Sequence, residues 1–207
     1  MNHDTRHPIS SEAAEILENR RREVTATLGA LVEAHPMITL ELGCGHGHFL
    51  TAYASAHSGE FCLGIDRQGN RITRSLRKQG HAGLPNLRFV RAEVRQFLDC
   101  LPEGMRLARI FVLFPDPWPK RRHIKNRMLG PSMLAILAQH AIPEAELFLR
   151  TDDFDYLEWV EANLSDSVEW RMHTGRVWPF ERETVFQRKA RSYRSLSAVT
   201  GDPARKG

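Results

Sequence analysis

The pattern of apolar and polar positions changes character at Met37. Upstream of it, Ser10 or Ser11 offers a cap for a first helix that continues from Glu12 to Arg22. Another helical stretch leads to His35-Pro36. From Met37 the pattern turns into short apolar runs that end abruptly, as buried strands do. Met37 to Leu42 stops at glycines, and Phe49 to Ala56 reads as a helix. Glu60 to Ile65 is a second strand ending at Asp66, followed by a helix from Asn70 to Gln79. Leu87 to Val90 and the short helix Val94 to Leu101 come next. Arg109 to Phe114 is the clearest strand and is terminated by Pro115-Asp116-Pro117. Pro131 to Gln139 is helical, Glu146 to Thr151 is a fifth strand, and Tyr156 to Leu164 is a helix. Two further strand-like stretches lie near Ser167 to Thr174 and Tyr193 to Val199.

Strands alternating with helices at this spacing imply right-handed crossovers and an α/β fold, a Rossmann-like, doubly wound, mostly parallel sheet. In such a sheet the ligand lies at the carboxyl ends of the strands, near the switch point. Candidate functional residues are therefore those that follow the first four strands. The 207 residues are expected to form one domain, 1–207, with frayed ends over about 1–10 and 200–207.

Composition narrows the function classes. With 42% hydrophobic and 26% charged residues the chain is an ordinary globular mixture, without a run long enough to span a bilayer. Met1 to Glu18 lacks the apolar stretch of a signal peptide, so a cytoplasmic location is expected. Cys44, Cys62 and Cys100 are scattered and odd in number, which disfavours a disulfide framework or a cysteine zinc site. No His-Glu-x-x-His spacing occurs among the ten histidines, and no metal is expected. The net charge of +4 allows a polyanionic partner. Its distribution says more: basic residues crowd Arg20 to Arg22, Lys120 to Arg127 and Arg188 to Arg194.

Glu41-Leu42-Gly43-Cys44-Gly45-His46-Gly47 closes the first strand. Its alternating glycines permit a sharp turn and close approach to a ligand. His48 stands where a dinucleotide fingerprint needs its third glycine, which breaks the nicotinamide pattern. Glu41, two residues before the first glycine, suits instead the cationic end of S-adenosylmethionine. Asp66, at the end of the second strand, is placed to accept hydrogen bonds from ribose hydroxyls. Glu93 follows the third strand, where it can meet an adenine amino group. Beyond the fourth strand, three alternate prolines in Phe114 to Lys120 fix the backbone around Asp116 and Trp118, as a pocket for a target base requires. Lys120, Arg121, Arg122, Lys125 and Arg127 follow at once and suit a phosphate backbone. Asp152, in Arg150-Thr151-Asp152 at the end of the fifth strand, reaches the same substrate from the neighbouring strand. Thr184 to Lys189 reads as a loop over the site.

Together, the run Glu41 to Gly47, Gly64-Ile65-Asp66, the Pro-Asp-Pro-Trp-Pro-Lys loop with its basic tail, and Arg150-Thr151-Asp152 resemble the bacterial tRNA (guanine-N7)-methyltransferase family. The resemblance runs roughly from Thr39 to Leu196 and is most specific in the proline-tryptophan loop. It implies S-adenosylmethionine as methyl donor, held around Glu41, Gly43, Gly45, Gly47, Asp66, Glu93 and Asp116. Asp116 matches the family's active-site aspartate. Lys120, Asp152 and the segment Thr184 to Gln187 match positions for a tRNA substrate, methylated on a guanine of the variable loop. Trp118 completes the expected substrate pocket. Gln187 departs from the family pattern, which has Glu there, and Glu93 stands where many relatives carry Asp or Asn. The expected partner is tRNA, with no membrane, and the chain acts as a monomer or a homodimer. Two rival functions stay open: methylation of a small molecule or protein with the same cofactor half, and non-catalytic tRNA binding.

Overall fold

The structure, a computed structural model, describes residues 11–173, 175–182, 187 and 190–201. Helix α1 (Ser11–Gly29) leads into β1 (Met37–Leu42), α2 (His48–Ala56), β2 (Phe61–Asp66), α3 (Gly69–Ala82), β3 (Leu87–Arg91) and α4 (Val94–Asp99). Then come β4 (Arg106–Leu113), a 3₁₀ segment (Arg121–Asn126), α5 (Pro131–His140), β5 (Ala141–Thr151), α6 (Phe154–Ser165), β6 (Trp170–Met172) and β7 (Arg194–Thr200). Among the described residues no helix is long and apolar enough to cross a membrane.

The strands form one sheet in the order β3-β2-β1-β4-β5-β7-β6. Pairings from β3 to β5 are parallel, whereas β7 runs antiparallel to both β5 and β6. The chain order reverses at β1, between β2 and β4, so the ends of those strands open the crevice expected of a doubly wound sheet. This is the predicted fold class.

Alternation along β4 divides the two layers. Leu107, Ile110 and Val112 join Val24 and Leu28 of α1, Phe97 of α4, Leu134 of α5 and Tyr156 of α6 in one core. Phe111 points the other way, into a second core with Phe49 and Tyr53 of α2, Ile72 of α3 and Phe148 of β5. Helix α2 covers Phe111, with the Phe49 ring at 4.9 Å and the Tyr53 ring at 5.1 Å. The segment 175–182 packs beside it, with the Trp178 ring 5.4 Å from Phe148 and the Phe180 ring 6.0 Å from Phe49. Arg109 enters this layer too. Its charge is met by Glu60 at 2.7 Å and Glu146 at 2.6 Å, and Tyr53 also accepts from it. That pairing is what permits a guanidinium against an apolar face.

Several boundaries differ from the sequence expectation. The two amino-terminal helical stretches are largely one helix, α1. The β5 strand begins at Ala141, ahead of Pro143, because a register shift between Leu107 and Arg109 absorbs the irregular Glu144, whose φ is 58°. Thr200 is no frayed end: its hydroxyl accepts from the Ala145 N–H and donates to the Ile142 carbonyl, both at 2.8 Å. Cys44, Cys62 and Cys100 are buried free thiols.

Candidate functional site: a cavity at the strand ends

A cavity of about 870 Å³ opens at the carboxyl ends of β1, β2 and β4. That is within the range that holds a cofactor-sized ligand. Gly43, Asp66, Glu93, Asp116 and Trp118 all lie on its wall, so residues from four separate loops meet as the sequence suggested.

The β1–α2 loop is shaped by its backbone. Gly43, Gly45 and Gly47 have φ of 73°, 55° and 70°, in the left-handed region that side chains resist. At Gly47 a Cβ would also meet Phe89 Cζ at 2.5 Å. The Cys44 N–H donates to the Ile65 carbonyl at 2.9 Å and the Gly45 N–H to Asp66 Oδ2 at 3.1 Å. Asp66 also accepts from the Gln68 N–H at 2.8 Å and faces Arg71 at 3.4 Å. This carboxylate therefore ties the two loops together while standing on the cavity wall.

Glu41 is placed differently from the expectation. Its position in the middle of the sheet buries the side chain, and it is not on the cavity wall. The Leu50 N–H, in the first turn of α2, donates to it, whereas Oε2 has no hydrogen-bond partner among the described residues. Burial, with added repulsion from Asp66, pushes its carboxyl up to about 8. Gly45 and Gly47 likewise support the loop without lining the cavity.

The opposite wall is the proline loop. Phe114 and Trp118 have φ of 49° and 46°, and each precedes a proline. Such a backbone is costly, about 1–3 kcal/mol per residue, and persists only where its surroundings hold it. Three contacts do so. The Phe114 N–H donates to the Arg150 carbonyl at 2.7 Å. Arg127 Nε donates to the Pro117 carbonyl at 2.8 Å. The Trp118 ring meets His123 edge to face at 5.5 Å. Asp116 sits between the two strained residues, exposed toward the cavity.

Two cations that the sequence grouped with possible phosphate contacts or a motif have structural partners. Arg127 packs over Tyr156 and Trp159, at 5.5 and 5.3 Å from the ring centres, so it holds the proline loop. Arg150 is buried and makes a two-pronged contact with Glu181 at 3.0 and 2.9 Å. It also donates to Ser195 Oγ at 3.0 Å and lies 3.9 Å from the Trp178 ring centre. Through Arg150 the segment 175–182 is fastened to the end of β5.

Lys120 and Asp152 are exposed and are not on the cavity wall. Thr184 lies outside the described residues. The Gln187 amide donates to the Tyr193 hydroxyl at 2.9 Å, and Tyr193 in turn packs on Arg150 and Phe114. Sequence reasoning overlooked Arg67, Arg71 and Ser132, which are on the wall. Arg67 was signalled by following Asp66 directly; Arg71, a helical turn further on, and Ser132 carried no signal.

Residues 35–193 match the family described as "Putative methyltransferase". A tRNA (guanine-N(7)-)-methyltransferase of Syntrophotalea carbinolica is 32% identical over 161 residues, 78% of this chain and 69% of that protein. One from Rhodospirillum rubrum is 40% identical over 132 residues, 64% of this chain, and there the match spans about half of the relative, 51%. Among solved structures, the 16S rRNA methyltransferase KamB superposes with a TM-score of 0.58 at 17% identity, covering 95% of this chain and 96% of that one. A 16S rRNA (adenine(1408)-N(1))-methyltransferase from Catenulisporales acidiphilia gives 0.57 at 19% identity, covering 88% and 93%. These two share the fold. The sequence relatives go further, and the chain belongs to the bacterial tRNA (guanine-N7)-methyltransferase family.

Proposed function

We propose that this chain transfers a methyl group from S-adenosylmethionine to N7 of a guanine in tRNA. The observation that carries the reading is the shared cavity. Gly43 and Asp66 stand on one wall, and Asp116 and Trp118, held by prolines, stand on the other.

The residues present fit the cofactor. Asp66 presents a buried carboxylate to vicinal hydroxyls at the end of β2. Glu93 offers an acceptor at the end of β3. Behind the glycine loop, Glu41 Oε2 has no donor among the described residues, and repulsion between Glu41 and Asp66 favours a cationic group nearby. Gly43, Gly45 and Gly47 leave the loop's backbone open to approach. When bound, S-adenosylmethionine supplies an electrophilic methyl group.

Guanine N7 has an in-plane lone pair and no proton, so no general base is needed. The chain's contribution is alignment and charge stabilisation. Asp116, fixed between Pro115 and Pro117, stabilises the positive charge that develops on the purine. Trp118 shapes the slot, Asp152 fixes the guanine edge, and Lys120 takes a phosphate. Gln187 and, by the family pattern, Thr184 serve the tRNA substrate, the amide of Gln187 keeping the length of the usual glutamate but not its charge. This reading puts the chain with its tRNA in the cytoplasm, as a monomer or a homodimer.

Methyl transfer from labelled S-adenosylmethionine to an unmodified tRNA pool, with mapping of the product nucleoside, tests the reading. Label as 7-methylguanosine in the variable loop is the expected result; cofactor binding with no label in RNA contradicts it. The Asp116→Ala variant is expected to lose about 10²–10³ in kcat with cofactor affinity nearly unchanged. Equal losses in both would remove Asp116 from its assigned role.

A further inference from the structure

We infer that the outer face of α3, with the glycine loop and the 175–182 segment beside it, is a second phosphate-binding track for the RNA. The inference rests on the proposed function and adds a surface to it. Residues 67–78 contain Arg67, Arg71, Arg74, Arg77 and Lys78 and no carboxylate. Arg71, Arg74 and Lys78 are spaced to share one helix face, and the run from Arg71 to Lys78 covers about 10 Å along the axis. It begins at the cavity, since Arg67 and Arg71 are on its wall, and leads away from it.

Other chain segments border this face, and two of them add arginines. Arg91, at the end of β3, reaches the Arg67 carbonyl at 3.3 Å. His46 of the glycine loop lies 3.4 Å from Arg74 Nη1, and Lys78 Nζ is 2.7 Å from His48 Nδ1. Arg182, arriving from the carboxyl-terminal part, is close enough to act on Lys78. Partial burial and these like charges depress both Lys78 and His46 below their ordinary values.

Negative charge to balance them is scarce. Between Gly43 and Ala82 the sequence has two carboxylates, Glu60 and Asp66. Glu60 is engaged by Arg109, Tyr53 and Thr39, and Asp66 by the loop backbone and Arg71. Like charges one turn apart on a helix are mutually destabilising. A chain that gathers them from three segments at the mouth of a substrate cavity gains from a polyanion laid across them. Exposed Lys125, on the cavity's other side, lets the backbone be gripped on both flanks of the base that enters. The track itself carries no sequence information; it sets position.

The test uses the full chain and an unmodified tRNA transcript. In Arg74→Glu/Lys78→Glu, KM for tRNA is expected to rise about tenfold at roughly 0.15 M salt, with kcat within about twofold. The slope of log affinity against log salt should shrink by about two. Arg74→Gln/Lys78→Gln should shift both in the same direction by less, and Arg74→Lys/Lys78→Arg should behave as the parent does. S-adenosylmethionine affinity, measured by calorimetry, should be unchanged throughout. An unchanged KM and salt slope in the charge-reversed variant overturns the inference while the parent still methylates tRNA. A fall in cofactor affinity matching the rise in KM overturns it as well, by showing a structural role. A parent chain that leaves tRNA unlabelled removes the proposed function and this surface with it.

Discussion

Around Gly43 the cavity wall is held by close neighbours in the first two βα units: β1, β2 and the loops that follow them share backbone hydrogen bonds, and Asp66 ties both loops. Around Asp116 the wall is held from far along the chain. Arg150 and Glu181 fasten the 175–182 segment, Phe114 hangs on the Arg150 carbonyl, and Arg127 reaches back to Pro117. The Gly43 side is thus stiff through local geometry, and the Asp116 side through tertiary contacts. On the proposed function, the first receives a methyl donor of one shape, and the second meets a base entering from RNA at a wall whose position depends on the rest of the molecule.

Variants on the two sides should behave differently. The largest effect belongs to Glu41. Its carboxyl is raised from 4.5 to about 8 in the folded chain, so the folded state holds a proton that the unfolded state releases. Stability is then fully present below pH 4.5 and declines as pH rises through about 8, with a slope of up to about 1.4 kcal/mol per pH unit. Glu41→Gln should flatten that decline in cofactor-free protein, as denaturant unfolding across the pH range would show; a parallel decline in both proteins contradicts it. Gly47→Ala comes next. The added methyl meets Phe89 at a left-handed position, and a loss of about 3 kcal/mol in unfolding free energy is expected. Calorimetry showing an unaltered melting temperature would mean the loop is softer than its contacts imply. The smallest effect belongs to the other side. Glu181→Ala removes the two-pronged partner of Arg150 and should cost about 1.5 kcal/mol. It should raise KM for tRNA severalfold and leave cofactor affinity alone. Loss of cofactor binding in this variant would erase the distinction between the two sides.

The same division explains what the sequence disclosed. The β1 boundaries were legible because an apolar run ends on Gly43, and the end of β4 because it runs into Pro115. Gly43, Asp66, Glu93, Asp116 and Trp118 could be placed together since each lies at or just beyond the end of a strand that faces the crevice. Glu41 is one residue inside β1, where burial takes it off the wall, and no periodicity separates those two fates. The partners of Arg127 and Arg150 were not legible at all. A basic residue in a basic tail looks solvated until Tyr156 and Trp159 are brought beneath it by the packing of α6. The early start of β5 was hidden by Pro143, which argues against a strand unless a register shift accommodates it.

The antiparallel β7 has a consequence for how the molecule is made. β6 precedes it in the chain, yet β6 pairs with β7 and β7 alone joins it to β5. During synthesis, every strand from β1 to β5 can find its neighbour as it emerges, but β6 must wait for residues 194–200. The Arg150 to Ser195 contact forms at that same moment. The nascent chain therefore completes the Gly43 side of the cavity early and acquires a fixed Asp116 edge only when β7 is inserted.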